Sequence, residues 1–412
     1  MPLTRPGWGD RKPDIGGSLV DRHALLVYES DSGISGTIND ATELYRVMVD
    51  ADAGTLATAT VIDPVPVLPF SLQQDRANPS VSQRSEGSPL GWMVCYQQRA
   101  TFPDDWYVKG CRVASTGATS PVAFIVGTGF SPATHVIEPS VDGSNTRYAV
   151  TYLRADSVGA TSGRSVGVTR FMWPPTASAP TVQWSSNVYT AAAAESVREP
   201  RIVNDTVISN WAVAYRKRRP LGVPDSVHAV RVGFNGAVVE SKTVHSSLTI
   251  DGAAPAITYD FLTRSFLLTY GTDAARSPVL GRVWTYPTGA VNVPYGISCG
   301  GAFGAVTTPL VGTEFFRVRL TGARRGVPAV LLVGAQPAAL DLGVIGMIGC
   351  QLLVDPAGMA SLPAITDGAG DALVTLVGLT TPVDLYLQWA HVARGANPRD
   401  LLTTGGLRSQ VR

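Results

Sequence analysis

The chain has 412 residues and a net charge of +1, with only 16% charged side chains and with 42 Gly and 29 Pro. So balanced a charge gives no global field to gather nucleic acid or an anionic membrane surface. No apolar run approaches the roughly 20 residues of a membrane-spanning helix. The many short apolar runs broken by Gly, Pro, Asp and Asn predict an all-β protein, because almost no stretch keeps the three- and four-residue apolar spacing of a helix.

The N-terminal stretch MPLTRPGWGDRKPD lacks the apolar core of a signal peptide. That leaves a cytosolic chain, or one whose export signal lies outside this numbering. From Pro13 onward a repeat takes over. Pro-x-Ile/Val occurs at Pro13, Pro79, Pro139, Pro200 and Pro255, spaced 66, 60, 61 and 55 residues apart. Each is followed by an alternating run ending in Tyr: HALLVY (Tyr28), GWMVCY (Tyr96), RYAVTY (Tyr152), NWAVAY (Tyr215) and SFLLTY (Tyr270). A polar loop then leads to a run carrying an Arg, at Arg46, Arg112, Arg170, Arg231 and Arg282. A fourth run closes each unit: TATVIDP, PVAFIVG, PTVQWSS, AVVESKTV and GAVNVPYG.

Four short antiparallel strands per unit match the sheet of a propeller blade, and such a sheet needs a neighbour on each face. The fold class expected is therefore all-β, a five-bladed β-propeller over residues 1–298 with blades starting near 13, 79, 139, 200 and 255, followed by a C-terminal β-sandwich over 299–412. Pro suits the first residue of a strand, where its missing donor breaks no ladder bond. The recurrent Tyr and Arg are expected at the seams between blades, bonded to one another or to backbone carbonyls.

The four cysteines form two candidate disulfides, Cys95–Cys111 and Cys299–Cys350, which point to an oxidising compartment and favour an exported protein. The plainer reading is four buried thiols in a reduced one. Neither pair has metal-site spacing, and the chain has five His, so a zinc cluster is not expected. Beyond Cys299 the repeat stops. FFRVRL, PAVLLVG, CQLLVD, DALVTLVG and DLYLQW continue as strands separated by Gly-rich turns, the pattern of a sandwich.

The order CGG, GTEFFRVRLTGA, PAVLLVG, LDLGVIGMIGC, GAGDALVTL, LYLQW and TTGGLR resembles a C-terminal module of large secreted bacterial proteins, notably planctomycete-type ones. The blade pattern EPSV…YAVTY resembles the Glu-Pro-x-Val units of secreted bacterial propeller repeats. Together these resemblances cover most of the chain. They imply a secreted or cell-surface propeller followed by a sandwich, and they carry hardly any activity.

Four features are candidate sites. Glu138 and Glu199 precede the repeat Pro, with Lys12, Asn78 and Ala254 as counterparts. On a propeller this position opens the innermost strand near the channel mouth, where paired acids perform glycoside hydrolysis in five-bladed enzymes. Asp14, Glu138 and Glu199 are the catalytic candidates on that reading. On the plainer reading the carboxylates bond a neighbouring blade, and the Trp-rich acidic box of the known five-bladed glycosidases is not recognisable. Arg216, Lys217, Arg218 and Arg219 form a run on the connection after the second strand of the fourth unit, either a rim for acidic saccharide or a solvated hairpin tip. Trp8, Trp106, Trp173 and Trp184 lie near strand ends, where aromatic rings can stack on sugar; Trp92, Trp211, Trp284 and Trp389 read as core. Asp367 and Asp371 (TDGAGDAL) read as a turn or, less simply, as calcium ligands. Beyond that, no cofactor is implied.

Three functions stay open. The first is an exported module binding polysaccharide or a neighbouring surface protein, and the second a glycoside hydrolase or polysaccharide lyase. The third is a structural subunit that assembles as a homo-oligomer through sheet edges.

Overall fold

The computed structural model describes residues 11–17, 23–31, 42–50, 52–62, 76–83, 91–99, 106–126, 135–144, 146–156, 163–174, 176–205, 210–220, 223–247, 254–260, 264–271, 279–285, 290–313 and 315–412. It is all-β, with two single-turn 3-10 segments and no α-helix among the described residues. Thr42–Asp50 forms a strand, as β-branched Val and aromatic Tyr suit a pleated surface.

Five antiparallel sheets follow one another in the chain. The first runs Arg11–Gly16, His23–Asp31 and Thr42–Asp50, edged by Thr55–Leu56 and Thr60–Val61. The second is Arg76–Val81, Gly91–Arg99, Trp106–Ala114 and Ala123–Val126. The third is His135–Ser144, Arg147–Ala155, Ser165–Met172 and Thr181–Thr190, and the fourth Ser196–Asp205, Asn210–Arg218, Asp225–Val232 and Val238–Ser247. The fifth has three described strands, Ala256–Asp260, Ser265–Tyr270 and Leu280–Thr285. In each sheet the Pro-x-Ile/Val segment is the first strand, and all five first strands line one cavity. That convergence is the β-propeller arrangement, each sheet standing edge-on to a common axis.

The seams explain the repeat. Successive residues of a strand point to opposite faces, so each sheet presents two different surfaces. Tyr96, Tyr152 and Tyr215 pack against the preceding sheet, and Tyr270 stacks on His245 of the fourth. Arg170 faces forward, its guanidinium 5.2 Å from the Trp211 ring of the next sheet, and Arg231 pairs with Glu240, which accepts from the Trp284 indole of the fifth. The Tyr and Arg of one sheet therefore lie on opposite faces and do not bond each other: Ala149, not Tyr152, is the residue opposite Arg170. Gly167 lies opposite Tyr152, where a Cβ would meet the Tyr ring at 2.4 Å.

The first-to-fifth seam departs from the pattern. The fifth sheet buries Phe266, Leu268, Tyr270 and Trp284 on one face, while Leu267 and Val283 on the other are exposed. Among the described residues this face is not packed as the other seams are. Residues 291–295, expected to close the fifth unit, instead pair with Leu401–Val411. Their alternation is that of a strand, and alternation does not specify which sheet the strand joins. Contacts divide the chain into a unit ending at Trp284 and a unit made of Thr285–Arg412 with the short segments Val207–Asn210 and Gly233–Asn235, against an expected boundary at 298/299.

The C-terminal unit has a two-stranded ribbon, Pro337–Asp341 with Gln351–Val354, and two facing sheets. One orders Val291–Tyr295, Leu401–Val411, Val383–Val392, Pro328–Gly334 and Ala360–Ile365; the other orders Ala302–Ala305, Phe316–Thr321 and Ala372–Leu376. Phe316, Val318 and Leu320 meet Leu331, Leu387 and Trp389 between them. Cys299 and Cys350 form a disulfide. Cys95 and Cys111 do not: both are free and buried. The register pairs Cys95 with Gly110 and Cys111 with Val94, so the two thiols point to opposite faces of the second sheet. Burial pushes the Cys95 thiol well up, which keeps it protonated and inert.

Candidate functional site

The first strands build the site through a shared irregularity. Their pairing slips just before the repeat Pro, between Arg11 and Asp14, Ala77 and Ser80, and Ile137 and Ser140. The residue at the slip adopts a left-handed conformation in four sheets: Lys12 (φ 47°), Asn78 (φ 51°), Glu138 (φ 50°) and Glu199 (φ 54°). That region is uncommon for residues other than Gly, and a following Pro normally enforces extended backbone. A β-bulge re-aims a side chain, and here it brings together Lys12, Asn78, Glu138, Glu199 and Ala254 from five sheets around a pocket of about 340 Å³ that Asp14 and Arg201 also line.

Hydrogen bonds knit the rim. The residue after the repeat Tyr supplies Glu29 and Gln97 in the first two sheets. Glu29 accepts from the Asn78 amide at 3.3 Å and pairs with Lys12 at 3.4 Å. Gln97 accepts from the Glu138 amide at 2.8 Å and from the Asn78 side chain at 2.6 Å. In the third sheet that position is Leu153, which has no oxygen to offer, and the Glu199 amide donates instead to Glu138 at 2.8 Å. In the fourth it is Arg216, which forms an ion pair with Glu199 at 3.3 Å. Glu29 and Gln97 were not singled out from the sequence, although their place after each Tyr marks them.

Of the three acids named as catalytic candidates, Glu138 and Glu199 face the same pocket as Asp14. Burial raises the Glu138 carboxyl above its ordinary pKa, and the neighbouring Glu199 adds to the rise although the Glu199 amide opposes it. Burial raises Asp14 as well, against hydrogen bonds from the Val81 and Ile15 amides. Below the rim a deeper cavity of about 440 Å³ continues along the first strands. Gln83 crosses its floor. Its side chain donates to the Ile257 carbonyl at 2.9 Å and accepts from Thr258, while its amide donates to Asp142.

The cationic run is divided by its partners. Arg216 is buried at the mouth. Lys217 pairs with Glu195 at 2.9 Å and lies 4.9 Å from the Tyr189 ring, and Arg219 approaches Glu195 at 3.6 Å. Burial disfavours ionisation of Glu195, but hydrogen bonds from Lys217, Tyr189 and the Ala192 amide outweigh it and hold the carboxyl at about 2. Only Arg218 of the four is exposed. The run is thus largely an internal charge lock, not an open rim of cations. Beside it the His228 ring packs against both Tyr215 and Tyr189, which also stack on each other at 5.3 Å. Burial, then Lys217 and Arg219, lowers its pKa to about 4.

The aromatic candidates also divide. Trp173 is fully buried with its indole donating to Ala177, so it presents no face to a sugar. Trp106 and Trp184 are partly buried against the core between the third and fourth sheets, and Trp184 meets Trp211 edge-on. Trp8 lies outside the described residues. Trp92, Trp211, Trp284 and Trp389 are buried as expected. Asp367 accepts from the Ala369 and Asp371 amides, and Asp371 forms an ion pair with Arg319, the geometry of a capped turn. No group of three or more His, Cys, Asp or Glu side chains is arranged to hold a metal among the described residues. No helix there is long and apolar enough to cross a membrane.

No protein-family model and no curated protein matches the chain. Solved structures similar to it include an exo-β-1,3-galactanase from Phanerochaete chrysosporium (10% identity, 96% of this chain and 95% of that one, TM-score 0.38). An endo-arabinase from Bacteroides thetaiotaomicron (11%, 67% and 94%, TM-score 0.39) and a sucrose-6-phosphate hydrolase from Lactobacillus gasseri (10%, 96% and 90%, TM-score 0.38) are also similar. Likeness at this level assigns no role to any residue, and the site rests on the geometry of the chain itself.

Proposed function

We propose that the pocket at the propeller mouth is a saccharide-binding site and that the protein is an exported polysaccharide-binding module. The observation that carries this reading is the convergence of five repeat-equivalent positions on one pocket, with Lys12, Asn78, Glu138 and Glu199 held there by strained bulges. Backbone strain of this kind persists only where its surroundings enforce it, and it gathers at functional sites. The lining is polar and mixed in charge, supplying the donors and acceptors that a hydroxylated ligand needs. The Cys299–Cys350 disulfide fits an oxidising compartment, as does the resemblance to exported bacterial repeat proteins. The test is a glycan array followed by calorimetric titration. Saturable binding that weakens at least tenfold in Asn78→Ala supports the reading; no binding across the array rejects it.

One observation favours a second reading, glycoside hydrolysis. Glu138 has a raised pKa and lies beside Glu199, which is paired with Arg216. A carboxyl whose burial favours the protonated form, beside one paired with a cation, matches in direction the division of labour between a general acid and its partner carboxylate. Mass spectrometry of saccharides incubated with the protein separates the two. Cleavage products that disappear in Glu138→Gln establish the hydrolase, and bound but intact saccharide establishes the binding module.

A further inference from the structure

The residue between Pro and Ile/Val has one part in three sheets. The Asp14 carboxylate accepts from the Val81 amide at 2.8 Å, the Ser80 hydroxyl from Val141 at 3.1 Å, and the Ser140 hydroxyl from Ile202 at 3.3 Å. Each sheet thereby caps a channel-facing amide of the next. The fourth sheet places Arg201 at this position, and a guanidinium has no acceptor to give.

The amide left over is that of Ile257. Ile257 lies opposite Leu268 just as Val141 lies opposite Val150 and Val81 opposite Val94. In such a pair both the N–H and the C=O point away from the partner strand. The Ile257 carbonyl shows this directly, since it accepts from Gln83 across the channel. Its N–H faces the same space, and no described residue accepts from it. Arg201 lines both the mouth and the deeper cavity. Among the described residues its one hydrogen bond is to the Pro200 carbonyl at 3.3 Å, and it forms no ion pair.

We infer that this junction is a subsite for the carboxylate of an acidic saccharide, which takes the place of the missing Asp or Ser oxygen between the Arg201 guanidinium and the Ile257 amide. This rests on the saccharide reading of the mouth and narrows its ligand to uronic-acid-containing chains. Arg presents two parallel donors to a carboxylate, and the hydroxyls of Ser140, Thr258 and Thr269 line the same cavity for the ring hydroxyls. The charged groups that line the mouth with Arg201 are Lys12, Asp14, Glu138 and Glu199, the last already paired with Arg216. Both oxygens of Asp14 already accept backbone amides, and one oxygen of Glu138 does.

The test uses calorimetry on trisaccharides of galacturonate, glucuronate and mannuronate, each against its neutral counterpart. Arg201→Ser restores the residue found at Ser80 and Ser140. The wild type should bind one acidic trisaccharide at least about tenfold more tightly than its neutral partner, as one charged hydrogen-bonded contact provides. Arg201→Ser should abolish that preference, the acidic trisaccharide and its neutral partner then binding the variant within about twofold of each other. Its unligated melting temperature should not fall, because the Ile257 amide gains an acceptor; a drop in melting temperature counts against the orphaned amide. Equal affinities in the wild type overturn the subsite and leave the saccharide reading standing. Failure of every trisaccharide to bind overturns both.

Discussion

Glu138 and Glu199, repeat equivalents 61 residues apart, are joined directly: the Glu138 carboxylate accepts the Glu199 backbone amide at 2.8 Å. The carboxylate of one sheet thus holds the strained backbone of the next in place. Glu138→Ala should leave that amide without a partner and lower stability by about 1–3 kcal/mol. Glu138→Gln keeps an acceptor oxygen and should stay within about 1 kcal/mol of the wild type. Urea denaturation of the two variants measures the difference, and equal losses in both would show that the bond contributes nothing.

The Arg216–Glu199 pair makes a second, separable contribution. Arg216 is buried and the Glu199 side chain is 27% exposed, so removing the cation strands a partly solvated carboxylate. Arg216→Ala should be destabilising by about 2 kcal/mol, below the range for fully buried pairs. Adding Glu199→Gln should recover part of the loss. A double-mutant cycle reads this as a coupling energy, and a coupling of zero would mean that the pair is incidental.

The cysteines give a chemical test of the register. Thiol titration of the unfolded, unreduced protein should find two free groups, Cys95 and Cys111. The Cys299–Cys350 bond spans a sequence separation of 51, and reducing it should destabilise the C-terminal unit by about 4 kcal/mol in the chain-entropy relation. Four titrating thiols would contradict the Cys299–Cys350 bond, and none would contradict the register that parts Cys95 from Cys111.

His228 should titrate by NMR with a midpoint near 4. Its folded pKa lies below the ordinary value of about 6.5, so the unfolded chain binds the proton first. The resulting stability is present above about pH 6.5 and is lost as pH falls toward 4. His228→Phe keeps the stacking with Tyr215 and Tyr189 and should flatten stability over that window. An unchanged slope would assign the loss to other groups.

Much of the architecture was legible because its signals are local. Pro-x-Ile/Val, the Tyr run and the Arg run marked three successive strands in each unit, and the Glu-Pro position was traceable to the channel mouth. What was hidden depends on contacts across the chain. Cys95 and Cys111 lie on neighbouring strands as expected, yet a one-residue offset in register separates their faces. The cation run resembled an open patch because Glu195 and Glu199 precede it by a whole strand. Lys12, Asn78, Glu138 and Glu199 carry positive φ at positions where the following Pro argues for extended backbone. Strand 291–295 pairs with the far end of the chain, a partnership that its own alternation does not encode.

The central claim is that equivalent positions of successive sheets meet in one saccharide-holding mouth. A crystal structure of the protein soaked with an acidic trisaccharide tests it most directly. The account predicts sugar density in contact with Asn78, Glu138 and Arg201, with the carboxylate on the guanidinium. Well-ordered sugar seated elsewhere, with the mouth filled only by solvent, would contradict it.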